Sequence, residues 1–188
     1  MNRGFIAIGY IVVLLVAVVS ISFYISARIT GNSVARKRTF FKGTLDSLVL
    51  SVESSFKSQR SWNRTVTAAL NKNSGADLEK CMNDPSFVCP MGEYPLAVYD
   101  DEGNVLVDSS SPSNGFDIDF KPCTTFGTTN PGSCFLRYEM TWQPECPATG
   151  TCYSPPVVVR GKLVLTPTGV AGAVDLNTDN YERNFRLR

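Results

Sequence analysis

The chain has 188 residues, with 18 basic and 17 acidic side chains for a formal charge of +1, six cysteines and no histidine. The lack of histidine removes the commonest general base and metal ligand, and the acidic balance beyond residue 42 gives nucleic acid no basic footprint. That balance is hidden in the total: residues 1–42 hold six basic residues and no acids, leaving twelve basic against seventeen acidic residues, or −5, for the remainder.

The chain opens Met1-Asn2-Arg3-Gly4-Phe5 and then carries no charge until Arg28, a run of 24 residues from Gly4 to Ala27 rich in Ile, Val, Leu and Phe. An α-helix needs roughly 20 apolar residues to cross a bilayer core, so the run predicts a transmembrane helix over 5–28. A cleavable signal peptide, with an apolar region of about 7–15 residues, and an uncleaved anchor are the competing readings. A short basic leader ending in Gly, then Phe, then an unbroken apolar helix resembles the type IV pilin and type II secretion pseudopilin family.

The resemblance covers the leader, the helix and the general layout of the chain. It implies a leader of residues 1–4, cut by a prepilin-type peptidase between Gly4 and Phe5 with methylation of the new N-terminus. It also implies partners among other pilin or pseudopilin subunits and a place in the inner membrane. Most members carry Glu at the fifth mature residue, where this chain has Gly9. A carboxylate in hydrocarbon persists only when paired or functional. Family members without it are associated with the filament tip, so the resemblance implies a minor, tip or priming subunit. Gly9, Ala17 and Ser20 are small enough to let neighbouring helices approach closely.

All eleven prolines lie at Pro85 or beyond and all six cysteines at Cys81 or beyond, which leaves the first eighty residues free to be helical. Phe41, Leu45, Leu48, Val52 and Phe56 recur at helical spacing, predicting that the helix continues beyond the membrane to about residue 58, roughly 80 Å in all. Ser61 is placed to cap a second short helix carrying Trp62, Val66, Ala69 and Leu70, and Asn71–Gly75 reads as a loop. Residues 29–75 are thus expected as a periplasmic extension of the helix plus a second helix.

Residues 76–188 are expected as a β-rich globular domain, giving an α+β class overall: a long membrane-spanning helix followed by a small disulfide-stapled antiparallel domain. Leu96–Tyr99 and Val105–Val107 flank Asp100-Asp101-Glu102-Gly103-Asn104, a hairpin signal. Phe116, Ile118 and Phe120 alternate with Asp117 and Asp119. Leu136, Tyr138, Met140 and Trp142 share one face of a strand, opposite Arg137, Glu139 and Thr141. Val157–Thr166 is a further strand, and residues 181–188 are a last strand or a tail.

Cys81, Cys89, Cys123, Cys134, Cys146 and Cys152 are even in number and confined to this domain, which reads as disulfides formed in an oxidising space. Fifteen pairings are open, and sequence order suggests the three local ones. No Cys-x-x-Cys occurs, so neither zinc nor any other metal or cofactor is expected. Arg28, Arg36, Lys37, Arg38 and Lys42 would by the positive-inside rule hold the domain in the cytoplasm. The cysteines argue instead for a single-pass protein of the bacterial inner membrane, its domain in the periplasm or at a filament tip.

Catalysis finds no motif, so no catalytic residues and no enzyme are expected. Asp100, Asp101 and Glu102 read as solvated turn residues, with calcium as the sharper alternative. Three functions follow. The first is a minor pilin or pseudopilin in the assembly, priming or capping of a filament. The second is an envelope-anchored protein whose domain binds a ligand or partner without polymerising. The third is an envelope enzyme using carboxylates alone.

Overall fold

A computed structural model describes residues 39–73, 76–117, 119–128, 134–147, 151–166 and 177–187. The chain falls into two units, Met1–Lys42 and Gly43–Arg188. Of the first, only residues 39–42 are described, and they are helical.

The second unit begins with helix α1, residues 43–57. Leu45, Val49, Val52 and Phe56 are buried at spacings of four, three and four, so one stripe of the helix enters the core. Leu48, expected on that stripe, is only half-buried, and Val49 takes its place. Ser58 breaks the helix. Its extended backbone and its hydroxyl, which accepts the Ser61 N–H, make it the N-cap of α2, Gln59–Thr67, a role expected of Ser61. A short hairpin of β1, Lys72–Asn73, and β2, Ala76–Asp77, replaces the expected loop and leads into α3, Leu78–Asn83, capped by Asp77.

The β layer is built on β8, Leu136–Pro144, and β9, Val157–Leu165. They pair antiparallel from Leu136 opposite Leu165 to Pro144 opposite Val157. β10, Arg183–Leu187, joins the free side of β9, so the C-terminal segment is a strand. The other side of β8 is shared along its length. β6, Gly115–Phe116, pairs at Leu136 and carries β7, Pro122–Cys123. The Met140 N–H donates to the Ser109 hydroxyl at 2.8 Å, the Met140 carbonyl accepts from the Leu96 N–H at 2.9 Å, and β3, Tyr94–Pro95, pairs at Thr141 and Trp142. β4, Ala97–Tyr99, and β5, Val105–Asp108, form the hairpin predicted around Asp100–Asn104. The alternation through Phe116, Ile118 and Phe120 ends at Phe116. Asp117 accepts the N–H groups of Asp119 and Lys121, and Phe120 turns to a positive φ of 59°, which no strand accommodates. Ile118 lies outside the described residues.

The inner face of this sheet and α1 share the core. Phe56 stacks on Phe185 at 4.6 Å, and the Arg183 Nε donates to Glu53 at 2.5 Å. The Tyr138 hydroxyl donates to the Tyr181 carbonyl at 3.1 Å, and burial, the larger cause, drives its pKa up to about 12. Gly161 stands opposite Met140 because a Cβ there would lie 2.7 Å from the Met140 sulfur and 2.8 Å from the Tyr138 hydroxyl.

Two expectations are corrected. Among the described residues no helix is long and apolar enough to cross a membrane, which overturns both the fold class headed by a membrane-spanning helix and the single-pass inner-membrane location built on it. The physical reason is visible in α1, whose exposed flank carries Ser47, Ser51, Ser54 and Lys57 and belongs in water. The class observed is α+β, with antiparallel sheets and three disulfides. The stretch 5–28 itself lies outside the described residues.

Candidate functional site

Of the expected site residues, Gly4, Phe5, Gly9, Ala17 and Ser20 lie outside the described residues. The cysteines form Cys81–Cys89, Cys123–Cys134 and Cys146–Cys152, closing loops with separations of 8, 11 and 6 residues. The first and third loops lie side by side, since the Cys89 N–H donates to the Cys152 carbonyl at 2.9 Å and Val88 bridges Tyr153. Among the described residues no group of Cys, Asp or Glu is arranged to hold a metal ion.

The acidic turn is consumed by its own geometry. Asp100 accepts the N–H groups of Glu102, Gly103 and Asn104 at 2.7–2.9 Å and the Asn104 side-chain amide at 2.9 Å. Asp101 accepts the hydroxyls of Ser58, at 2.7 Å, and of Ser61, tying the turn to the cap of α2. Hydrogen bonds from Asn104 to Asp100, and from Ser61 and then Ser58 to Asp101, hold both carboxyls below the usual range. Gly103 at the bend has a φ of +94°, the left-handed region that glycine enters freely. These carboxylates are organising a turn and carry no acid–base pair.

A different site emerges beside the Cys123–Cys134 disulfide, at the β6–β7 edge of the sheet. Between β5, the β6–β7 pair and the start of β8 lies a cavity of about 230 Å³, lined by Val105, Leu106, Phe116, Pro122, Cys123, Asn114, Asp108 and Arg137 among others. Its rim is exposed at Val105, Pro122 and Thr124, while Gly115, Arg137 and Tyr138 are buried. Gly115 has no room for a side chain, as a Cβ would meet the Leu136 carbonyl at 2.6 Å, so β6 lies close against β8.

Arg137 is 8% exposed, and its Nε has no hydrogen-bond partner among the described residues. Its Nη2 stands 3.6 Å from Glu139, whose other oxygen is taken by Lys162 at 3.0 Å. One carboxylate thus serves two cations. Asp108, on the same cavity wall, is satisfied by its own loop: it accepts the Ser110 N–H at 2.9 Å, the Ser110 hydroxyl at 2.6 Å and the Asn114 amide at 2.8 Å.

Strand alternation assigns Arg137 to the solvated face with Glu139 and Thr141, and nothing local marks it as buried. The cover comes from residues distant in sequence. Asn71 is a second polar residue that sequence reasoning left in a loop. It is fully buried, donates to the carbonyls of Thr65 and Ala97 at 2.6 and 2.8 Å, and accepts the Ala97 N–H at 2.7 Å, fastening α2 to β4. No protein-family model, curated protein or solved structure matches this chain.

Proposed function

We propose that the chain is a minor pilin- or pseudopilin-like subunit that takes part in the assembly, priming or capping of a type IV pilus or type II secretion-like filament. The observation that carries this reading is the leader, Asn2-Arg3-Gly4-Phe5 running into the uncharged stretch that ends at Ala27. The partners are other subunits of the filament and a prepilin-type peptidase that cuts between Gly4 and Phe5. The layout of α1 supports it. The stripe of Leu45, Val49, Val52 and Phe56 is spent inside its own domain, so this part of the chain needs no neighbour to be stable. Contacts with other subunits then fall to residues 5–27 and to the outer side of α1, where Leu50 is 63% exposed. Gly9, in place of a Glu, fits a subunit with nothing beyond it to pair a carboxylate.

Intact mass and N-terminal sequencing of the protein from its native host, with and without the prepilin-type peptidase, test the reading. The expected result is a chain starting at Phe5 only when the peptidase is present. A chain that keeps Met1 in both cases overturns it and favours the second reading, a domain that binds a ligand without polymerising, for which the Arg137 cavity is the supporting observation.

A further inference from the structure

We infer that the cavity floored by Arg137 is a binding site for a small organic monocarboxylate with an apolar body. This does not rest on the filament reading. Three observations carry it. The first is size and lining: about 230 Å³, walled by Val105, Leu106, Phe116 and Pro122, exceeds the roughly 150 Å³ that accommodates a benzene ring. The second is the cation. Among the described residues Arg137 is buried with its Nε unpartnered, and the acid it pairs with, Glu139, lies at 3.6 Å and is closer to Lys162. A buried guanidinium so thinly compensated favours an incoming anion, and its planar array of donors matches a carboxylate. The third is the way in, because Val105, Pro122 and Thr124 leave the rim open to solvent.

Asp108 narrows the class. Its charge shares the cavity wall, so a second negative charge on the ligand would meet it, while its oxygens are engaged by Ser110 and Asn114 and, among the described residues, make no ion pair with Arg137. The site therefore suits one carboxylate at the Arg137 end with an aliphatic or aromatic body along Leu106 and Phe116. Phosphate and dicarboxylates are disfavoured by the Asp108 charge and by the apolar Leu106 and Phe116 walls.

Equilibrium dialysis of the full chain against labelled benzoate, with benzamide as the neutral isostere and phthalate as the dianion, reads the proposal. Benzoate should saturate one site per chain, with benzamide and phthalate each at least about tenfold weaker, the loss expected on removing a charge-assisted hydrogen bond. Arg137→Gln should weaken benzoate by about tenfold or more and leave benzamide unchanged. Val105→Trp, at an exposed strand position that tolerates an aromatic, should block the mouth and abolish benzoate binding with Arg137 still in place. Circular dichroism checks that each variant is folded, and if Arg137→Gln is not, Val105→Trp decides alone. No saturable benzoate binding up to about 10 mM, equal binding of benzamide, or benzoate binding unchanged by Val105→Trp would each overturn the site.

Discussion

Two regions of the Gly43–Arg188 unit are ordered by different means. Along β8 and β9 nine consecutive residue pairs form one ladder, and Leu136, Tyr138, Met140, Trp142, Val157, Val159 and Leu163 are buried against it. From Leu78 to Cys134 the strands are two to four residues long, and order comes from disulfides, from Asp84, Asp100, Asp108 and Asp117 bonding to nearby N–H groups, and from the single amide of Asn71. The ladder region is stable through non-local apolar burial, which needs both strands at once. The short-strand region is stable through local closures, each of which can be lost separately. That difference dictates how the two regions should fail.

The largest effect is expected at Trp142, which is fully buried in β8 and packs on Tyr94 with ring centroids 5.0 Å apart. Trp142→Ala should cost about 4 kcal/mol, the usual result of emptying a large core site. Denaturant unfolding measures it, and amide exchange should rise in both regions together because β8 also holds Leu96 and Ser109. Exchange confined to β8 and β9 would break the comparison.

The staples should act the other way. Replacing both Cys123 and Cys134 by Ala removes the closure with a separation of 11 residues and should cost about 3 kcal/mol on the chain-entropy account. The same change at Cys81 and Cys89, then at Cys146 and Cys152, should cost slightly less each time as the loop shortens, down to about 2 kcal/mol. Exchange protection should fall around the opened loop and persist along β8 and β9. Asn71→Ala lies between the two modes. It leaves the buried N–H of Ala97 without the Asn71 acceptor and takes one donor from each of the carbonyls of Thr65 and Ala97, at a cost of about 2 kcal/mol. Loss of protection in α2 and β4 ahead of β8 is the signature to look for.

How well each region could be read from sequence follows the same division. β8 was legible because apolar residues alternate over Leu136, Tyr138, Met140 and Trp142, and the β4–β5 hairpin because Gly103 and Asn104 close an acidic turn. Disulfide bonding was legible from an even set of cysteines in a loop-rich segment. β3, β6 and β7 span two residues each, too few for any period to register, and α3 is only one and a half turns. Ser58 and Ser61 are equivalent as cap candidates until the backbone bend chooses between them. Arg137 was invisible as a site residue for a different reason. Its position in the alternation is that of a solvated residue, and its burial is produced by β5, β6 and β7 folding over it.

The smallest expected effect concerns the acidic turns, which are exposed and so contribute little each. Hydrogen bonds to the charged forms of Asp84, first from Ser86, of Asp100, first from Asn104, and of Asp101, first from Ser61, hold their pKa values below those of the unfolded chain. The unfolded chain then binds protons more readily than the folded one. The stabilisation is therefore whole above the unfolded carboxylate value of about 3.9 and is lost as pH falls through the lower folded values. Asp100→Asn removes one of these titrations and keeps an oxygen to accept the turn N–H groups. Its thermal midpoint should lie below that of the parent at neutral pH and converge on it as pH falls below about 4. Midpoints that stay parallel down to acid pH would mean that the turn is held by Gly103 and the β4–β5 pairing alone, and that the short-strand region owes less to its carboxylates than to its staples.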